Sequence, residues 1–328
     1  MKKSFLCLIC ILALCFLTAC QAVCPHVDVN DDGICDIADC EKEYKDGIDT
    51  ICAHQDINRD GKCEFCSENC VYTRQDNIIY FGQYPQTLQT STDPNLTYSE
   101  NPDENGYYLG SDNNYYAKVV VDPNGEGYTF ANGQYVIAGE THYFKVEPLR
   151  WRIVYTDYST ALIVCDSIIA NMAYDAENNN YETSDVRAWL NETFYETAFN
   201  ELQKSLIAKT LVDNSASSTV SANNPYVCND TEDYVFLLSF SDVTNEAYAL
   251  DLAARQLRPS DYALANGAFM NQNFANYGYG TWWLRSPYDF DESKARCVYR
   301  DGRVYGGSYG SIENDYYGVV PAMFINLK

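Results

Sequence analysis

The sequence predicts an α+β domain whose terminal strands lie in one sheet, preceded by a small cysteine- and aspartate-rich stalk of two repeats. Three observations predict it. Strand-like apolar runs occupy both ends of residues 78–328, while helical periodicity is confined to the middle. Seven cysteines crowd into Cys24–Cys70 and only Cys165, Cys228 and Cys297 follow, a step in composition that puts a boundary near residue 71. Hydrophobic residues at 46% and aromatics at 14% of 328 residues are enough for a packed core, which excludes a wholly disordered chain.

Within the domain, Ile78–Gly82 reads as a short strand ending in a turn. Residues 88–142 are polar and rich in Tyr, Asn and Gly, with a turn at Asp122-Pro123-Asn124-Gly125, and read as a long insertion or hairpin. Tyr143–Tyr155 and Ala161–Cys165 read as paired strands. Ser184 is placed to cap a helix whose apolar face carries Val186, Trp189, Leu190, Phe194, Ala198, Leu202 and Leu206, with a break near Glu196 and Trp189 as core anchor. Tyr234–Leu238 reads as a buried strand. Asp251–Leu257 and Ser260–Phe269 read as short helices separated by Arg258-Pro259. The end is β-rich: Thr281–Arg285, Ala295–Arg300, a turn at Asp301-Gly302, Arg303–Tyr305 and Gly318–Leu327.

Ahead of the stalk, Lys2 and Lys3 precede 13 apolar residues, Phe5–Leu17. A spanning helix needs about 20, so residues 1–19 read as an export signal. Its exit, Leu17-Thr18-Ala19-Cys20, resembles the bacterial lipobox. That resemblance implies diacylation of the Cys20 thiol, cleavage just before it, and an extracytoplasmic protein anchored by lipid to a bacterial membrane.

Residues 20–71 hold a repeat: Cys24-Pro-His26-Val-Asp28-Val-Asn30-Asp-Asp32-Gly33-Ile34-Cys35 aligns with Cys52-Ala-His54-Gln-Asp56-Ile-Asn58-Arg-Asp60-Gly61-Lys62-Cys63. The Asp-x-Asn-x-Asp-Gly core resembles calcium loops of the EF-hand and dockerin kind. Oxygens at positions 1, 3 and 5 converge on one ion, Gly at 6 permits the turn, and position 7 offers a carbonyl. The calcium set is then Asp28, Asn30, Asp32, Ile34, Asp36 and Asp39, and in the second loop Asp56, Asn58, Asp60, Lys62 and Glu64. Position 12 of that second loop is Ser67, so it is the weaker claimant. The repeats also spell a zinc alternative, Cys24, His26, Cys35 and Cys40 with Cys52, His54, Cys63 and Cys66. A third reading staples each repeat by a disulfide, Cys24 to Cys35 and Cys52 to Cys63, because exported chains oxidise.

Forty-six acidic against 22 basic side chains give a net charge of −24. That field repels phosphate backbones and argues against a nucleic-acid partner. No organic cofactor is implied either: Tyr305-Gly306-Gly307-Ser308 lacks the Lys-Ser/Thr and helix of a phosphate cradle.

Six blocks carry a family resemblance. Tyr80-Phe81-Gly82-Gln83-Tyr84-Pro85-Gln86-Thr87, Pro148-Leu149-Arg150-Trp151-Arg152-Ile153, Arg187-Ala188-Trp189-Leu190-Asn191, Val235-Phe236-Leu237-Leu238-Ser239, Trp282-Trp283-Leu284-Arg285-Ser286-Pro287 and Gly318-Val319-Val320-Pro321-Ala322 follow in order. Together they resemble the domain of unknown function 6273 of Gram-positive surface proteins, with Val320 where that family has Arg. The ending is similar to the C-type-lectin-like fold of sulfatase-modifying enzymes, which implies that fold by analogy and no function.

Catalysis has little to stand on. The cysteines are dispersed, without the close pair that holds copper in those enzymes, and His142 has no neighbouring Ser or Cys. Trp282 and Trp283 point to opposite faces of a strand, so one can meet solvent. Beside Arg285, Tyr299 and Tyr305 it would form a platform for a sugar ring or peptide. The sequence therefore predicts a cell-surface lipoprotein with a non-catalytic domain binding glycan or protein. The alternatives are a divergent sulfatase-modifying enzyme and a structural scaffold. Native mass spectrometry of membrane-extracted protein should show added acyl mass, absent in Cys20→Ala, and calcium that EDTA removes. Unacylated protein without metal would contradict both assignments.

Overall fold

A computed structural model describes residues 71–90 and 95–327. The chain divides into two units between Thr73 and Arg74, and the described fold is that of the second. The signal, Cys20 and both repeats, with all their calcium and zinc ligands, lie outside the described residues.

The described strands, in chain order, are β1 (Thr73–Gln75), β2 (Ile78–Leu88), β3 (Tyr107–Leu109), β4 (Tyr115–Val120), β5 (Thr141–Thr156), β6 (Thr160–Cys165), β7 (Ala170–Asn171), β8 (Ile207–Ala208), β9 (Thr210–Val212) and β10 (Thr231–Asp233). Then come β11 (Trp282–Pro287), β12 (Ala295–Val298), β13 (Val304–Tyr305), β14 (Gly318–Val319) and β15 (Ala322–Asn326). Helices are short: α1 (Asp185–Trp189) passing through a π turn (Leu190–Phe194) into α2 (Tyr195–Ala198), then α3 (Glu201–Lys204), α4 (Phe240–Thr244) and α5 (Asp261–Ala265). The fold is a β-rich form of the α+β class.

The larger sheet runs antiparallel in the order β2-β5-β6-β15-β8, with the β3–β4 hairpin joined to β5 through β4. The smaller sheet runs β13-β12-β11-β14-β7 and is parallel at β11–β14. The first and last long segments thus share one sheet without being neighbours. Gly318–Leu327, expected as one strand, is two: Val320 and Pro321 carry the chain from the smaller sheet to the larger. Pro321 offers no N–H to a ladder, which favours the switch there.

β5 is the hub, and its buried Phe144, Leu149 and Trp151 face the core. The Trp151 indole donates to Phe81 O at 2.7 Å. Gly82 beside it has φ +69, and a Cβ there would run into the Phe199 ring. The strand therefore bulges at Gly82 and continues to Leu88 rather than ending in a turn.

Residues 88–142 are not an appendage. Val121, Tyr128, Phe130 and Val136 fold over Phe144 and the Leu264–Ala265 end of α5 in one buried cluster. Asp261 fastens it, accepting from Leu88 N at 3.0 Å and Ala131 N at 2.7 Å.

Ser184 caps α1 as its spacing predicts, accepting from Arg187 N. The expected break near Glu196 falls instead at Phe199, which turns extended because Asn200 opens a new capping box on α3. Trp189 is half-buried, stacked on Phe194 at 5.4 Å, so it borders the core rather than anchoring it. Leu202 is exposed, whereas Leu206, just past the end of α3, is buried as its place on the apolar face predicts. Asp251–Leu257 forms turns and not a helix, since the Asp251 carboxylate takes Ala254 N and Gly280 N binds the Leu257 carbonyl.

The segment 234–238 is buried but is not a ladder strand. Asn191 stands in for a neighbouring strand: its Oδ1 accepts from Tyr234 N (2.8 Å) and Val235 N (3.2 Å), and its Nδ2 donates to Val235 O (2.8 Å). Phe236 exchanges both backbone bonds with Ala322, and Leu237 N donates to Tyr181 Oη. Arg187 docks the same helix on buried Asp233 at 2.7 Å. Asn191→Ala, which orphans these groups, should lower the unfolding free energy in urea by about 2 kcal/mol; an unchanged midpoint would refute the surrogate-strand role.

Candidate functional site

The Trp282–Pro287 block lies wholly inside the protein. Trp282 and Trp283 alternate across β11, but both faces are covered, one by Leu238, Leu250 and Leu257 around Trp282 and the other by Tyr174 and Tyr317 on Trp283. Trp282 is 2% exposed and donates to Arg255 O at 3.1 Å. Trp283 is 0% exposed, donates to Met172 O at 2.9 Å, and packs against Tyr174 and Tyr317. Neither tryptophan can meet a ligand, which corrects the expected platform.

Arg285, 5% exposed, is likewise withdrawn from solvent. Its guanidinium donates to Leu237 O at 2.8 Å, to Asp242 Oδ2 at 2.6 Å and to Asp213 O at 3.2 Å. Ser286 and Pro287 continue the pattern, Ser286 donating to Ser218 O and accepting from Phe240 N, Pro287 O accepting from Asn224. Together the polar groups of the block hold the chain at Asp213, Ser218, Asn224 and Leu237–Asp242.

Tyr299 and Tyr305 remain at the surface, both half-buried, and the exposed Tyr309 joins them. Ring centroids are 5.4 Å apart for Tyr299–Tyr305, 4.8 Å for Tyr299–Tyr309 and 5.3 Å for Tyr305–Tyr309. Tyr299 and Tyr305 are brought together by the β12–β13 hairpin, where Tyr299 N donates to Arg303 O and Gly302 N to Tyr299 O, and Tyr309 comes from the 3-10 turn Gly307–Tyr309 that follows. Gly302, with φ +79, lies against the Leu252 backbone with no room for a Cβ, so the turn requires glycine. Tyr305 Oη donates to Asp301 Oδ2 at 3.3 Å. Burial is the main cause raising the Tyr299 phenol above its usual pKa, so it stays a neutral donor and acceptor at physiological pH.

Sequence reading missed Arg300, whose guanidinium carbon stands 4.5 Å from the Tyr299 ring centroid and 5.9 Å from Phe269. The signal was in plain view as Tyr299-Arg300-Asp301-Gly302-Arg303-Val304-Tyr305, two arginines interleaved with tyrosines in an acidic chain. The face can stack apolar rings, exchange hydrogen bonds with hydroxyls and bind an oxyanion.

Other candidates are weaker. Burial pushes the Cys165 thiol up to about 11 and raises the Cys297 and Cys228 thiols, which makes them poor nucleophiles. His142 Nε2 meets Glu140 Oε2 at 3.0 Å near the exposed end of β5. Among the described residues no group of three or more His, Cys, Asp or Glu is arranged to hold a metal ion. A polar hollow of about 280 Å³ lies by Asn178, Asn179, Asn180 and Tyr226. Its amides are engaged by the protein itself, Asn179 Nδ2 donating to Lys294 O at 2.7 Å and Asn180 Oδ1 accepting from Glu182 N.

The chain belongs to the family described as domain of unknown function 6273, whose model matches residues 158–327. The matched stretch begins after β5, so the Tyr80–Thr87 and Pro148–Ile153 blocks lie ahead of it, in the same sheet as its last strand. No curated protein and no solved structure matches the chain significantly.

Proposed function

We propose that this protein is an extracytoplasmic lipoprotein, tethered through Cys20 to a bacterial membrane, whose domain is a non-catalytic receptor for glycan or protein at the cell surface. The repeats form an acidic stalk that binds calcium through the Asp-x-Asn-x-Asp-Gly loops, and the domain is a C-type-lectin-like variant. The observation that carries the receptor reading is the surface cluster Tyr299, Tyr305 and Tyr309 beside Arg300, mounted on the hairpin that extends the buried β11–β12 pair. Rigid aromatic groups with hydroxyl rims offer contact area at low cost in side-chain entropy, which suits a binding face. An enzyme reading finds less support, since the described thiols are dispersed and two of the three are buried.

Screening the full-length protein against arrays of surface glycans and surface proteins should yield a saturable ligand. Tyr305→Ala and Tyr309→Ala should each weaken that ligand by about tenfold, the value of a lost aromatic contact of ~1.4 kcal/mol, without moving the melting temperature. No saturable ligand on either array, or one indifferent to both substitutions, would refute the receptor.

A further inference from the structure

We infer that the tyrosine face takes a carbohydrate bearing anionic groups, with Arg300 and Arg258 as its charge-reading residues. The inference rests on the reading of that face as a receptor surface. It starts from an imbalance of charge. Acidic side chains outnumber basic ones 46 to 22, and most arginines of the domain are neutralised: Arg150 and Arg152 on Asp166, Arg187 on Asp233, Arg285 on Asp242, Arg296 on Asp289. Arg258 and Arg300 make no ion pair among the described residues. Each rests on an aromatic ring instead, Arg258 at 5.0 Å from the Tyr279 centroid and Arg300 at 4.5 Å from that of Tyr299.

The segments that carry the two arginines adjoin. Gln256 joins their loops, its amide donating to Asn276 Oδ1 at 2.8 Å and to Arg300 O at 3.2 Å. Arg258 is exposed and Arg300 half-buried. A guanidinium held by a ring rather than by a carboxylate keeps N–H donors along its edge for a ligand. That edge is the one that grips a carboxylate or sulfate with two parallel hydrogen bonds. Beside it, Tyr299, Tyr305 and Tyr309 present ring faces for the C–H side of a sugar and hydroxyls for its polar rim. The chain's −24 opposes any polyanion at long range, as it does nucleic acid, so an acidic sugar must be held by contacts at the patch, where the Asp301 carboxylate is paired with Arg303 at 3.3 Å.

The test is the affinity of the full-length protein for polygalacturonate and dextran sulfate, against neutral dextran and poly-glutamate, by affinity electrophoresis. Polygalacturonate or dextran sulfate should bind, more weakly as salt rises, and Arg300→Gln and Arg258→Gln should each cost about tenfold, the loss of one charge-assisted pair. Unchanged melting temperatures keep these variants interpretable. Failure of both acidic polysaccharides to bind, or binding indifferent to both arginine variants, overturns the inference. Equal binding of poly-glutamate reassigns the face to acidic peptides and overturns it too. Neutral dextran held through Tyr305 alone overturns it while leaving the receptor reading intact.

Discussion

The described fold depends on one buried cation. Arg285 sits in β11 with its guanidinium on Leu237 O, Asp242 and Asp213 O, while its backbone N–H donates to Leu238 O and its carbonyl accepts from the Tyr174 hydroxyl. Asp242 is at the same time the far member of the Ser239 capping box that starts α4. One side chain thereby ties the smaller sheet, the segment 234–238, a helix N-terminus and the 213 loop into a single network. Such a charge is costly to bury alone and holds only because every donor direction it uses meets an oxygen.

The surface follows from that interior. With Trp282, Trp283 and Arg285 committed to holding loops, β11 has nothing left for a ligand, and the proposed binding face lies on the hairpin of its neighbour β12 with β13. β12 extends the rigid strand outward, Gly302 folds the turn tightly against Leu252, and the tyrosines are carried to the rim with Arg300 among them.

How much of this is legible in the sequence depends on where each group's partners lie. The Ser184 cap, the β5–β6 pair and the β12–β13 turn are local, and spacing alone places them. The segment 234–238 has the composition of a strand and is not one. What pairs its backbone is a side chain, Asn191, more than 40 residues earlier, and no periodicity encodes that. The same holds for the tryptophans. Alternation puts them on opposite faces of β11, but only the tertiary fold decides that both faces are covered. Residues 88–142 look polar because their apolar core contributors, Val121, Tyr128, Phe130 and Val136 among them, are scattered through a polar segment. Of the candidate site, Tyr299 and Tyr305 stay at the surface as expected, whereas Arg300 escapes a reading by motif although it stands between them in the chain.

Arg285 and Asp242 act as one unit, which a double-mutant cycle in urea measures. Arg285→Met and Asp242→Asn should each lower the unfolding free energy by about 3 kcal/mol, and the double variant should lose little more than the worse single one. Single losses near ~0.5 kcal/mol that simply add would contradict the account.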